Sequence, residues 1–302
     1  MRYESPLRYP GGKGRLAQYF KALLRANDLL EIEYVEPYAG GASVALSLLH
    51  SEYASRVHIN DVSRPIYAFW HSVLHETEKL CTSISKARLD IREYRRQKAV
   101  MESEEPRDLL KLGFAAFYLN RTNRSGIIHS RAGPIGGNDQ DGPWSLGARF
   151  NKPVLIERIQ RVARQADRIC LYNMDAGLML RSVVRALPVR TLVYLDPPYY
   201  NKGQRLYANY YGPADHSALA QEVLRLRQRW VISYDDSPEV RRIYSGHTKR
   251  RYGVPYSAAS RYSGAEVMIF SPDLVTPRIA EPARFTETAF RAWLRSSRVR
   301  AA

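Results

Sequence analysis

The chain has 302 residues and carries 46 Lys and Arg against 30 Asp and Glu, a formal net charge of +16. Hydrophobic residues at 45% and aromatics at 11% exclude a disordered chain, and they suit one large α/β domain with an insertion, or two domains. The cationic surplus makes nucleic acid the first partner to expect and an anionic membrane a weaker one, since no segment approaches the roughly 20 apolar residues that span a bilayer.

In chain order, the start MRYESPLRYPGGK lacks the apolar core of a secretion signal. RYPGG then predicts a turn, KGRLAQYFKALLRA a helix, YVEP a strand, YAGG a turn, ASVALSLLHS a helix and RVHIND a strand. This alternation argues for a parallel sheet with helices packed on its faces. From Ser63 the strand signal stops. Ser63 is a fitting N-cap with Pro65 in the first turn of SRPIYAFWHSVLHETEKLCTSI, followed by the helical segments RLDIREYRRQKAVMES and PRDLLKLGFAAFYLNR. His71, His75 and Glu76 share a helix face but have no third ligand at metal spacing, so they read as solvated surface and no metal is expected. The Gly-rich, basic passage from Thr122 to Pro153 reads as a hairpin or ordered loop. The α/β pattern resumes with helix VLIERIQRVARQA, strand RICLYNMD, helix AGLMLRSVVRAL, strand TLVYLD, helix PADHSALAQEVLRLRQ and strand RWVISYDD. TKRRYGVPYS and EVMIFSP fit a closing antiparallel hairpin. The expected organisation is an α/β catalytic domain of residues 1–61 and 152–275, a helical and hairpin insertion of 62–151, and a basic tail of 276–302. Only Cys81 and Cys170 are present, which fits a reducing cytoplasm and excludes a Cys-rich zinc site.

Ligands of open parallel sheets bind beyond the carboxyl ends of the strands, and three such ends are informative. In YVEPYAGGASV, Gly40 and Gly41 let backbone approach a ligand, and the following helix start favours its anionic parts. Asp61 ends the next strand at about the 20-residue offset at which a carboxylate takes a ribose diol. RYPGGKGR is not a P-loop, because Leu7 and Gly14 stand where that motif needs Gly and Ser or Thr. Lys13 there could still pair with a carboxylate of a smaller ligand. The third end is TLVYLDPPYYN. Asp196 offers an acceptor, Pro197 and Pro198 preset the chain and leave only carbonyls, and Tyr199 adds a flat face. The set suits an exocyclic amine on a planar base, with two acceptors for its two hydrogens.

DPPY, RYPGGK and EPYAGGASV, in this arrangement around a helical insertion, resemble the Dam-like, D12 class DNA adenine N6-methyltransferases over about residues 5 to 275. FYLNRTNRSG resembles that family's Asn-Arg segment leading into its DNA-reading hairpin, and NMDA the segment beside the cofactor adenine. The resemblance implies a Rossmann-like methyltransferase fold, a mostly parallel twisted sheet with an antiparallel strand near one edge, plus an inserted target-recognition domain. It implies S-adenosylmethionine as methyl donor, with Tyr9, Pro10, Lys13, Glu36, Tyr38, Gly40, Asp61, Asp175 and Asp196 as candidate cofactor residues. Asp196, Pro197, Pro198 and Tyr199 are the candidate catalytic residues, acting on a flipped adenine in double-stranded DNA. Asn120, Arg121, Asn123, Arg124 and Arg131 are side-chain types that read base edges. Arg95 and Arg96, with Arg92 and Lys98 on the same basic helix, suit phosphates. A monomer is expected, with a cognate restriction enzyme as a further candidate partner. The passage GPIGGNDQDGPWSLGARF departs from the family pattern, so no target sequence carries over. The residues alone leave open cytosine N4, RNA or a protein amide as acceptor, and a DNA-binding protein that keeps the fold without catalysis.

Overall fold

The runs YVE, VHIN, VYL and WVISY are short, apolar and rich in Val, Ile and Tyr, the composition of strands covered on both faces. A computed structural model describes residues 4–8, 13–103, 108–128, 132–200, 211–255 and 263–299. Along the chain its elements are α1 (Ala17–Ala26), β1 (Ile32–Glu36), α2 (Ser43–His50), β2 (Ala54–Asn60), α3 (Arg64–His75), α4 (Thr77–Lys86), α5 (Ile91–Glu102), α6 (Leu109–Thr122), α7 (Lys152–Ala163), β3 (Ile169–Tyr172), α8 (Ala176–Ser182), β4 (Leu192–Leu195), α9 (Pro213–Leu224), β5 (Arg229–Asp235), α10 (Pro238–Ile243), β6 (Lys249–Pro255), β7 (Ser263–Phe270) and α11 (Glu287–Val299). No helix among the described residues is long and apolar enough to cross a membrane.

The chain divides into two compact units, one of Met1–Gly12 with Asn60–Met174 and one of Lys13–Ile59 with Asp175–Ala302. The second unit is mixed α/β and Rossmann-like. Six of the seven strands among the described residues belong to it and run in the order β2-β1-β4-β5-β7-β6. β2, β1, β4 and β5 are parallel, and β7 is antiparallel to β5 and to the edge strand β6. Successive strands leave β1 toward β2 on one side and resume at β4 on the other. The β1/β4 boundary is therefore the switch point at which α/β sheets bind ligands. The expected closing hairpin is present as β6 and β7. The tail from residue 276 contains α11, which packs on α1 and buries Phe290, whose ring lies 6.3 Å from that of Tyr53.

The first unit is mostly helical and holds the seventh strand, β3. Its core is the α3–α6 pair, with Phe69 and Phe117 stacked at 5.5 Å and Trp70, Phe69, Phe117 and Tyr118 fully buried. The close approach rests on Gly113, where an added Cβ would lie 2.4 Å from the Ala68 carbonyl. Glu76 ends α3, so the helical stretch SRPIYAFWHSVLHETEKLCTSI divides into α3 and α4. The unit takes residues on both sides of the expected 62–151 insertion, because α7 packs on α3 and α4.

Candidate functional site

In the α/β unit the turn after β4 carries DPPY. Asp196 Oδ1 accepts the Ser233 hydroxyl at 2.6 Å and lies 3.1 Å from Lys13 Nζ; Oδ2 has no partner among the described residues. Ser233 comes from β5 and is itself 2.9 Å from the Tyr194 hydroxyl. Lys13 opens a short 3-10 turn and also faces Glu266 of β7 at 3.2 Å. Glu266 is buried and accepts the hydroxyls of Tyr199 and Tyr252, while the Lys13 ammonium lies 5.4 Å from the centre of the Tyr199 ring. The Tyr200 N–H donates to Asp235 Oδ1 at 2.7 Å, which pins the turn to the end of β5.

One cation thus serves two carboxylates, the buried Glu266 and the half-buried Asp196. Burial pushes the Asp196 carboxyl upward, Lys13 pulls it down and Glu266 pushes it up again, leaving it above the usual carboxylate range. Burial lowers the Lys13 ammonium, but Asp196 and Glu266 outweigh it and hold the group well above its usual value.

At the end of β1, Glu36 is buried and accepts the Tyr34 hydroxyl at 3.1 Å and the Ala45 N–H of α2 at 2.9 Å. Burial raises its carboxyl from an ordinary 4.5 to about 8, against the two hydrogen bonds and with help from the charge of Asp196. The folded state therefore keeps a proton that the unfolded chain releases. Stability from this group is full below pH 4.5 and falls as pH rises to about 8. Urea denaturation of the cofactor-free protein at both ends of that window should show this slope reduced in Glu36→Gln; an equal slope in both proteins would exonerate Glu36. Gly40 is buried with φ +46°, a backbone that favours glycine, and the Tyr38 hydroxyl meets that of Tyr211 at 3.0 Å. Asp175 is the exposed N-cap of α8, accepting the Leu178 N–H at 2.9 Å.

In the helical unit, Asp61 follows β2 and accepts the Ser63 N–H at 2.9 Å, while Asn60 is buried and exchanges two bonds of 3.0 Å with the Met174 backbone. The Asn-Arg segment closes α6. Asn120 is fully buried: its Oδ1 accepts the Arg8 N–H at 2.7 Å and its Nδ2 donates to the carbonyls of Arg8 and Gly126. Asn123 is buried too, accepting the Tyr94 hydroxyl at 2.8 Å and donating to the Ile127 carbonyl. Arg124 is exposed, and its side chain donates from Nε to the Pro134 carbonyl at 3.3 Å. On α5, Arg95 is exposed, and Arg96, also exposed, holds Glu93 through two bonds of 2.8 and 2.9 Å.

The family model of the D12 class N6 adenine-specific DNA methyltransferases matches residues 9–258. The chain belongs to that family. Membership makes this D12 protein a methyltransferase of the adenine-specific DNA class. No curated protein matches it. Solved structures similar to the D12 chain include a conserved hypothetical protein of Streptococcus pyogenes, 12% identical, covering 80% of this chain and 88% of that one at a TM-score of 0.32. SMU.1697c of Streptococcus mutans, named as a candidate methyltransferase and solved in complex with SAH, is 10% identical with coverage of 83% and 97% and a TM-score of 0.35. YhhF of Escherichia coli, also named as a candidate methyltransferase, is 10% identical with coverage of 85% and 86% and a TM-score of 0.32. At these scores the likeness carries no functional weight.

The D12 protein brings Asp196, Pro197, Pro198, Tyr199 and Lys13 together, and the charge of Asp196 helps to raise the Glu36 carboxyl. Tyr199 differs from expectation in being only 3% exposed, its hydroxyl tied to Glu266. Asn120 and Asn123 depart further: their amides are spent inside the protein, so neither presents hydrogen-bonding groups to a base edge in this structure. Tyr9, Pro10 and Arg131 lie outside the described residues. Glu266, Ser233 and Tyr252 were not singled out by the sequence. Ser233 and Glu266 stand out only as polar residues within the apolar runs of β5 and β7, and Tyr252 has no such signal in the basic strand β6. Among the described residues no group of three His, Cys, Asp or Glu could hold a metal; His71 and His75 face each other at 4.8 Å.

Proposed function

We propose that this chain transfers a methyl group from S-adenosylmethionine to the N6 amino group of an adenine flipped out of a specific site in duplex DNA. The observation that carries the reading is the Asp196 carboxylate at the switch point. One oxygen is anchored by Lys13 and Ser233, the other has no partner among the described residues, and prolines follow whose carbonyls are directed by fixed φ angles. Asp196 Oδ2 and the Pro197 carbonyl accept the two N6 hydrogens, which draws the amino nitrogen out of conjugation and aims its lone pair. As the N–C bond forms, positive charge grows on N6, and the adjacent carboxylate stabilises it in a site with little water. Tyr199 closes on the base only if its ring, 3% exposed here, is uncovered as the base enters.

The donor set fits the cofactor chemically. Glu36 and Lys13 suit the amino-acid end, Gly40 permits close backbone approach, and Asp61 and Asp175 offer acceptors to a diol and to an adenine amine. When bound, the sulfonium supplies an electrophilic methyl group, so the sulfur leaves with the bond pair. The decisive experiment is methylation of a plasmid in vitro followed by single-molecule mapping of modified bases. N6-methyladenine in one sequence context supports the reading, and modified cytosine alone rejects it. Asp61→Ala should weaken cofactor binding by about 1 to 3 kcal/mol through loss of a charge-assisted contact. Wild-type affinity by calorimetry would remove Asp61 from the cofactor site.

The helical unit reads the target, with the basic charge of the chain supporting a DNA partner. Arg124, exposed on the Asn-Arg segment, is the base reader, while Arg95 on α5 is a phosphate contact that Arg96 supplements only partly because Glu93 holds it. Arg124→Ala should relax one target position by about 1 to 3 kcal/mol of discrimination. Changing Arg95 and Arg96 together should weaken binding to all DNA alike and flatten its salt dependence by about 1 per lost contact in log-log slope. A methylation spectrum altered by the α5 pair and untouched by Arg124→Ala would reverse these roles.

A further inference from the structure

The loop after the Asn-Arg segment departs from the family pattern, and it is held from within. The Arg124 N–H donates to the Gly133 carbonyl at 3.0 Å, the Ile135 N–H donates to the Thr122 carbonyl at 2.8 Å, and Asn123 bridges to Pro134, which fixes the start of the loop beside the end of α6. The loop then closes on itself. The Gly142 N–H donates to the Gly136 carbonyl at 3.0 Å, and Gln140 spans the ring, donating from Nε2 to the Ile135 and Gly137 carbonyls at 2.7 Å each and accepting the Leu146 N–H at 2.9 Å. Gly136, with φ +85°, leaves no room for a side chain, because an added Cβ would lie 2.5 Å from the Trp144 carbonyl. Leu146 is buried and anchors the far end. From this frame Trp144 stands 64% exposed, with the carboxylates of Asp139 and Asp141 exposed beside it in sequence. Asp141 makes no hydrogen bond or ion pair among the described residues. Its Oδ1 and Nη2 of Arg124 nevertheless lie 3.4 and 3.9 Å from one point, the place of a Cβ added at Gly137. A donor fork and a bare acceptor are thus presented side by side on a hydrogen-bonded backbone.

In the major groove guanine shows two acceptors, thymine an acceptor, adenine a donor next to the N7 acceptor, and cytosine the N4 amino donor. A carboxylate can only accept, so cytosine is the base edge that meets it without a repelling lone pair, as guanine is the edge that suits a guanidinium fork. We propose that Asp141 is a second base-reading residue: with Arg124 it reads one G·C pair of the target, Arg124 taking the guanine and Asp141 accepting from the cytosine N4 amino group. This rests on the reading of the chain as acting at a specific site in duplex DNA, with Arg124 as base reader. The carboxylate repels the phosphates of every duplex, and that repulsion is offset only where a cytosine meets it.

Two measurements on the full chain test this. Trp144 reports whether the loop meets DNA: acrylamide quenching of its fluorescence, assigned by difference from Trp144→Phe, should be lost when the mapped target duplex binds. Binding in a gel shift with Trp144 still quenched overturns the proposal and leaves the duplex-DNA reading intact, whereas no binding of any duplex removes both. The second measurement compares the affinities of wild type, Asp141→Asn and Asp139→Asn for the target duplex with each base pair replaced in turn. Asp139→Asn removes the same charge two residues earlier, and both acids are exposed, so the variants keep the loop's internal bonds. Asp141→Asn should lose about tenfold of the preference for cytosine at one G·C pair and admit adenine there, because an amide matches the adenine edge. Its affinity for non-target duplex should be no lower than that of wild type. The same pair should be the one relaxed by Arg124→Ala, and Asp139→Asn should keep the wild-type pattern. A target without a G·C pair, an unchanged pattern in Asp141→Asn, an equal change in both Asp variants, or relaxation at a pair that Arg124→Ala leaves alone would each overturn the proposal.

Discussion

Replacing Asp196 with alanine should cut methyl transfer by at least about a hundredfold, the scale of losing a preorganised group at the atom where charge develops. Binding should survive. The trio of Lys13, Asp196 and Glu266 loses one negative charge and keeps the Lys13–Glu266 pair at 3.2 Å, so no charge is orphaned and the turn remains anchored by Tyr200 on Asp235. Cofactor and DNA affinities should therefore stay within several-fold of wild type. Labelled-methyl incorporation beside calorimetry and gel-shift binding checks both halves, and substantial turnover by the variant would remove Asp196 from the chemistry.

Lys13→Met should act on stability and on pH dependence together. It leaves the buried Glu266 and the half-buried Asp196 without their shared cation, and for Glu266 the loss is the roughly 3 to 5 kcal/mol of removing one partner of a buried pair. It should also raise the Asp196 carboxyl further, because the group that pulls it down is gone. The proposed role needs that carboxyl ionised. Activity is therefore present above its folded pKa and lost as pH falls through it, and because the pKa is raised the loss begins at a higher pH than for an ordinary aspartate. In Lys13→Met the acid limb of kcat should move to still higher pH. In Glu266→Gln, which removes the like charge and leaves Lys13 to Asp196, it should move to lower pH. Acid limbs that coincide in all three proteins would mean that another group governs the profile.

Strand ends were legible in the sequence because apolar runs stop abruptly at Glu36, Asp61 and Asp196, and a parallel sheet puts such ends where ligands bind. Glu266 was not, although its strand was. Its place opposite both Asp235 and Tyr252 depends on the register of β7 against β5 and β6, and a shift of one residue would turn it to the other face. The Asn-Arg segment shows a different gap. Residue type marks Asn120 and Asn123 as hydrogen-bonding groups, but only the path of residues 4–8 beside α6 decides that their partners are Arg8, Gly126, Ile127 and Tyr94. Gln140 is similar: φ +55° and bonds to Ile135, Gly137 and Leu146 make it the hub of the loop that departs from the family pattern, by geometry that no spacing announces.

The chain passes between its two units three times, after Gly12, after Ile59 and after Met174. The helical unit proposed to read the target is accordingly not a cassette with two ends. Grafting the specificity of another D12 enzyme onto this catalytic frame by exchanging only the central helices would leave the recipient's own Arg8 facing a foreign Asn-Arg turn, where the clasp made by Asn120 and the tight fit at Gly126, whose added Cβ would come within 2.9 Å of Arg8 Cβ, have to match it. A working chimaera should need a third splice, carrying the donor's first dozen residues along with its reader.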